Sequence, residues 1–142
     1  MIVAIRISGR VDIKHNIRET LYKLRLRRKY SCNIFPEKKD SEDPQVKSLK
    51  NVRDYIAYGN INDETLKELI EKRGKPLNKD TKINPEKVVE ELKKGKKLDE
   101  IGLKPFFRLH PPRKGIKSKE HFPKGVLGDH GEKINELVKK ML

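Results

Sequence analysis

Apolar residues open the chain as a run, Ile2-Val3-Ala4-Ile5-Arg6-Ile7, rich in β-branched side chains and ended by Ser8-Gly9. That pattern predicts a strand. Asp12 stands where a helix cap belongs, and apolar positions then recur at Ile13, Ile17, Leu21 and Leu24, one face of an amphipathic helix. Ser31 to Phe35 predicts a second strand, stopped by Pro36, which has no N–H to give a ladder. After a charged loop from Glu37 to Pro44, Val46, Leu49 and Val52 mark a second helix. Tyr55-Ile56-Ala57-Tyr58 reads as a third strand closed by Gly59-Asn60. The first 60 residues thus predict a β-α-β-α-β core, and helices covering one face of a small sheet is the economical way to bury these stripes.

Beyond that core the pattern turns helical. Asn62 or Asp63 caps a helix over about 62–73, with Leu66, Leu69 and Ile70 apolar and Gly74 and Pro76 at its end. Asn84-Pro85 starts another, over about 85–94, with Val88, Val89 and Leu92 inward. Charges nearly cancel across 61–101, where eleven Lys/Arg face ten Asp/Glu. Such a balance is that of a solvated face rather than a polyanion contact. Residues 102–131 keep neither period, and carry seven Lys/Arg against two Asp/Glu. A basic loop this poor in apolar residues is not expected to order by itself. Asp129, with Glu132 three positions on, matches a capping box for a last helix over about 130–141, whose buried stripe is Ile134, Leu137, Val138 and Leu142. The chain reads as two parts, a core over 1–60 and a helical, loop-rich extension over 61–142.

Composition turns this outline toward a partner. Of 142 residues, 34% are hydrophobic and 39% charged, and the formal net charge is +14. Such an excess implies a polyanion, either nucleic acid or an anionic membrane. No apolar run approaches the roughly 20 residues needed to span a bilayer. The apolar start lacks the basic opening and length of a signal peptide. The single cysteine, Cys32, leaves no internal disulfide and reads as a packed residue. A cytoplasmic location is the expectation.

Two clusters hold the binding chemistry. The first is Arg25, Arg27, Arg28 and Lys29 at the end of the first helix, joined by Arg10 and Lys14 near the first turn. Helix-end cations also favour the helix dipole, but four cations in five residues exceed what that requires. The second is Phe107-Arg108-Leu109-His110-Pro111-Pro112-Arg113-Lys114. Its prolines stiffen the backbone, so Arg108, His110 and Arg113 project at set positions. Arginine forks match phosphate and stack on bases. Lys114, Lys117, Lys119 and Lys124 add point charges for backbone phosphates. Phe106, Phe107 and Phe122 can stack on unpaired bases or pack inward.

Catalytic signals are missing. His15, His110, His121 and His130 fall in no metal-binding spacing, and no Gly-rich phosphate loop occurs. Neighbouring acids such as Glu90-Glu91 point different ways on a helix. No enzyme activity, metal, cofactor or small-molecule substrate is expected.

The residues carry a resemblance. Arg6-Ile7-Ser8-Gly9, Leu24-Arg25-Leu26-Arg27-Arg28, Cys32-Asn33-Ile34-Phe35-Pro36, Val52-Arg53-Asp54-Tyr55-Ile56-Ala57-Tyr58-Gly59 and Leu69-Ile70-Glu71-Lys72-Arg73-Gly74 occur in order. Phe107 to Gly115 is the most specific stretch, followed by Gly125-Val126-Leu127-Gly128. Over nearly its whole length the chain resembles the archaeal and eukaryotic branch of the large-subunit ribosomal protein family numbered thirty in bacteria and archaea and seven in eukaryotes. The resemblance implies a three-stranded antiparallel sheet with two helices packed on it, an archaeal-type extension, and burial against large-subunit ribosomal RNA among neighbouring 50S proteins. The absence of a long basic amino-terminal arm favours the archaeal type. Two departures stand out. The loop at 37–44 is acidic, and the stretch after Gly115 is poor in glycine, which weakens Lys117 and Lys119 as contacts. A free regulatory RNA-binding module, acting on messenger or small RNA, is the alternative.

Overall fold

The computed structural model describes residues 1–36 and 43–142. Three strands lie where the pattern puts them: β1 at Ile2–Arg6, β2 at Ser31–Phe35 and β3 at Ile56–Asn60. β1 is central and pairs antiparallel with both, Val3 opposite Ile34 on one side and Gly59 on the other. The sheet is larger than the expected three-stranded antiparallel one. It has five strands, because residues 107–108 form β4, antiparallel to β2, and residues 128–129 form β5, parallel to β3. The segment expected to lack order by itself therefore supplies both edges of a mixed sheet. It is held by apolar anchors the loop-like composition conceals: Leu103, Phe107, Leu109 and Leu127 are all buried. Anchors spaced irregularly leave no period to read, yet each buries apolar area against the sheet.

Helices cover both faces of that sheet, not one. α1 (His15–Lys23) and α2 (Pro44–Asn51) lie on the first face, where Leu21, Leu24, Leu26, Leu49 and Val52 pack on Ala4, Phe35 and Ile56. α3 (Asp63–Arg73), α4 (Pro85–Lys93) and α5 (Ile134–Met141) serve the second face. There Leu66, Leu69, Val89, Leu92, Ile134 and Val138 pack on Val3, Ile5, Cys32 and Ala57. The alternation along β1 explains the division: Val3 and Ile5 point one way and Ala4 the other, and all are buried. A strand apolar on both faces needs cover on both.

The helix starts show which cap signals operate. Asn62 accepts from the Thr65 N–H at 2.9 Å, and Asn84 accepts from the Glu86 N–H at 3.2 Å, as their sequence positions predict. Asp12 does not cap α1; it sits at φ 55° in the preceding turn, and Lys14 is the cap residue, without a side-chain bond. The Asp129–Glu132 box does not form either. Asp129 accepts from the Gly131 N–H at 2.9 Å, and a short 3-10 turn over Gly131–Lys133 precedes α5. Most of the acidic loop at 37–44 lies outside the described residues.

Candidate nucleic-acid interface

Strand alternation sets the key side chain. Phe107 is buried in the second-face core, so its neighbours Phe106 and Arg108 turn to the first face. α1 runs over that face but leaves the β4 edge open. Between them lies a cavity of about 520 Å³ lined by Arg6, Arg10, Arg18, Arg25, Arg27, Arg28 and Arg108, with Ile13, Tyr22, Ser31 and Phe106 completing the wall. No carboxylate is among the lining residues, and among the described residues none of these arginines makes an ion pair. The acids are spent elsewhere. Lys93–Asp63, Lys67–Glu86, Lys72–Glu68 and Lys96–Glu91 neutralise α3, α4 and the turn after α4.

Arg6 builds the floor. Its residue is 2% exposed, and its guanidinium donates to four carbonyl oxygens: Leu26 and Arg27 at 2.9 Å each, Gly9 at 2.8 Å and Ser8 at 3.1 Å. Burial, and then the nearby charges of Arg10 and Arg18, push its pKa below the ordinary arginine value. An arginine nevertheless keeps its proton at neutral pH, so Arg6 remains a fixed positive charge beneath the cavity. Two arginines on the rim are set by aromatic rings. Arg27 stacks on Tyr22 at 4.5 Å and Arg108 lies over Phe106 at 5.7 Å, contacts that orient each guanidinium plane.

The structure brings together Arg10, Arg25, Arg27, Arg28 and Arg108 from the two sequence clusters. Lys14 and Lys29 lie outside this lining, the latter over the Tyr30 ring at 5.0 Å. His110, Arg113, Lys114, Lys117 and Lys124 belong to another exposed stretch. That stretch is anchored by its backbone: the His110 N–H donates to the Met141 carbonyl and the Arg113 N–H to that of Lys140, both at 3.0 Å. The end of α5 thus places the basic segment. Phe107 packs inward, while Phe122 stacks on His130 with a centroid distance of 4.6 Å.

Arg6, Arg18 and Tyr22 were not among the candidates. A signal for each exists. Arg18 and Tyr22 follow Lys14 at successive four-residue steps, one helical face away from the apolar stripe. Arg6 is a charged residue at an inward-facing strand position, where burial demands partners.

Other chemistry is sparse. Among the described residues no group of three His, Cys, Asp or Glu side chains could hold a metal, and no helix is long and apolar enough to cross a membrane. The Cys32 thiol is fully buried and its pKa is driven far up by desolvation.

No protein-family profile matches the chain. Curated proteins do. The chain is 44% identical to the large ribosomal subunit protein uL30 of Archaeoglobus fulgidus, over 99% of each sequence. It is 41% identical to the protein of that name from Aeropyrum pernix, over 97% of this chain and 96% of that one. For Nanoarchaeum equitans the figures are 40%, 94% and 93%. Identity at this level across nearly the full length of both sequences admits one conclusion: the chain belongs to the uL30 family of large ribosomal subunit proteins.

Proposed function

We propose that this chain is a structural constituent of the large (50S) ribosomal subunit. It binds and stabilises folded ribosomal RNA, contacts neighbouring ribosomal proteins, and takes part in translation on the cytoplasmic ribosome without catalysing a reaction. One observation carries the reading beyond kinship. Seven arginines converge on one cavity with no carboxylate among its lining residues. Like charges held together in the free protein repel, and phosphate neutralisation with counterion release reverses that cost on binding. The first 60 residues supply six of these arginines; the extension closes the cavity with Arg108 and adds the stretch around Arg113.

Sedimentation of the native protein through a sucrose gradient at moderate salt tests the assignment. The chain is expected to travel with large subunits. A pool found on small or messenger RNA instead of subunits would establish the free regulatory module in its place. In reconstitution, Arg108→Ala with Arg113→Ala is expected to lower incorporation more than Lys93→Ala with Lys94→Ala; equal incorporation would remove the basic surfaces from the account.

A further inference from the structure

The cavity is shaped for something smaller than a duplex. Its volume, about 520 Å³, lies within the roughly 300–1,000 Å³ of sites that engulf small ligands. A paired A-form helix presents a convex backbone and keeps its bases stacked inside, so it can touch the rim and cannot enter. A single nucleotide turned out of its stack can.

The lining fits such a nucleotide at both ends. Arg10, Arg18, Arg25 and Arg28 offer guanidinium forks to phosphate. Tyr22, which is 51% exposed, and half-buried Phe106 offer ring faces, each already paired with an arginine plane. Aromatic rings and arginine planes are the surfaces on which proteins stack unpaired bases. Ile13 adds apolar wall. The backbone gives independent support. Among the described residues four non-glycine residues have positive φ, and three of them, Asp12 at 55°, Arg25 at 61° and Tyr30 at 64°, are in the lining or next to it in the chain. Left-handed backbone at bulky residues is strained and tends to concentrate where a site must be shaped.

Resting on the RNA-binding reading above, we infer that this cleft captures one unstacked nucleotide of a bulge or single-stranded turn, its phosphates held by the arginines and its base laid against Tyr22, Phe106 and the guanidinium planes of Arg27 and Arg108. Bulged RNA is thereby distinguished from continuous duplex, without dependence on which base is bulged, since every base has a stacking face.

The test uses the full chain and two hairpin RNAs of matched length, one fully paired and one with a single bulged 2-aminopurine. Fluorescence anisotropy gives affinities, and 2-aminopurine emission reports stacking. The bulged hairpin is expected to bind roughly tenfold tighter or more, with a change in emission on binding. In Tyr22→Ala with Phe106→Ala that preference is expected to fall to within about threefold, with the emission change lost, while thermal melting and binding of the paired hairpin stay near wild type. Replacing both rings by Leu, which keeps apolar bulk without a ring, is expected to behave like Ala. Equal affinity of the wild type for both hairpins, or a preference that survives loss of both rings, overturns the nucleotide assignment and leaves RNA binding standing. Failure to bind either hairpin at low salt overturns both readings.

Discussion

The guanidinium of Arg6 donates to the carbonyl oxygen of Leu26 at 2.9 Å, twenty positions along the chain. With its bonds to Ser8, Gly9 and Arg27 it ties the loop after β1 to the turn after α1. The two sides of the cleft are thereby fixed to one residue. Arg6→Ala removes the guanidinium donor from the buried Leu26 carbonyl and from three partly buried ones, a loss on the order of 2–3 kcal/mol. Chemical denaturation should show it as a lower midpoint with unchanged slope. Arg6→Lys, which has fewer donors and no planar fork, should fall between the two.

Gly59 on β3 faces the 3-10 turn before α5, and a Cβ there would run into the backbone carbonyl of Gly131. Backbone cannot swing aside as a flexible side chain does. Gly59→Ala should therefore cost about 1–3 kcal/mol. Gly9→Ala has open space around it and should leave the melting temperature unchanged, so the pair separates contact from glycine loss in general.

Salt dependence of RNA binding separates the cleft from the rest of the charge. Removing Arg10 and Arg28 together should reduce the slope of log K against log salt by about 1.4–1.8, two phosphate contacts' worth. Lys93, held by Asp63 at 2.6 Å, should leave the slope untouched when replaced by Ala. A titration of affinity over a range of salt concentrations checks both.

Much of the fold was readable because its signals are local. Asn62 and Asn84-Pro85 announce helix starts by chemistry that acts within one turn, and β2 occupies the predicted span. The edge strands were not readable. Two residues carry no period, and β4 and β5 exist only because Phe107 and the residues near Gly128 reach strands far away in sequence. The second helical layer had a trace: the unbroken apolar run Ile2-Val3-Ala4-Ile5 implies burial on both sides, which the expectation of one covered face did not use. For the site, counting charge identified clusters but not their geometry. Arg10 and Arg108 both line the cleft, whereas Lys14 falls outside the lining and the cations from His110 onward lie on the far side of the β4 strand in sequence.

Cys32 is completely buried on β2, and desolvation raises its pKa. Raising a thiol's pKa disfavours the reactive thiolate at every pH below the shifted value. Ellman's reagent at pH 8 should therefore leave the native protein unlabelled and react promptly once denaturant unfolds it. Fast labelling of the folded chain would contradict the packing described for this strand.

The amide protons of His110 and Arg113 are held by the last carbonyls of α5. Both should exchange slowly, unlike the amides of exposed loops. Met141 is fully buried, and Met141→Ala should cost about 2–5 kcal/mol. If α5 places the basic segment, exchange at His110 and Arg113 should accelerate in that variant more than exchange at Val3 in the central strand.

The cleft's walls are separated in time as well as in sequence. Arg10 through Arg28 are made early, but Arg108, and the α5 carbonyls that anchor the residues after it, arrive about 80 to 115 positions later. At roughly 5–20 residues per second, the first wall waits several seconds for the second. A nascent chain thus carries the charge of the first wall without a finished cleft until Arg108 and α5 have been made.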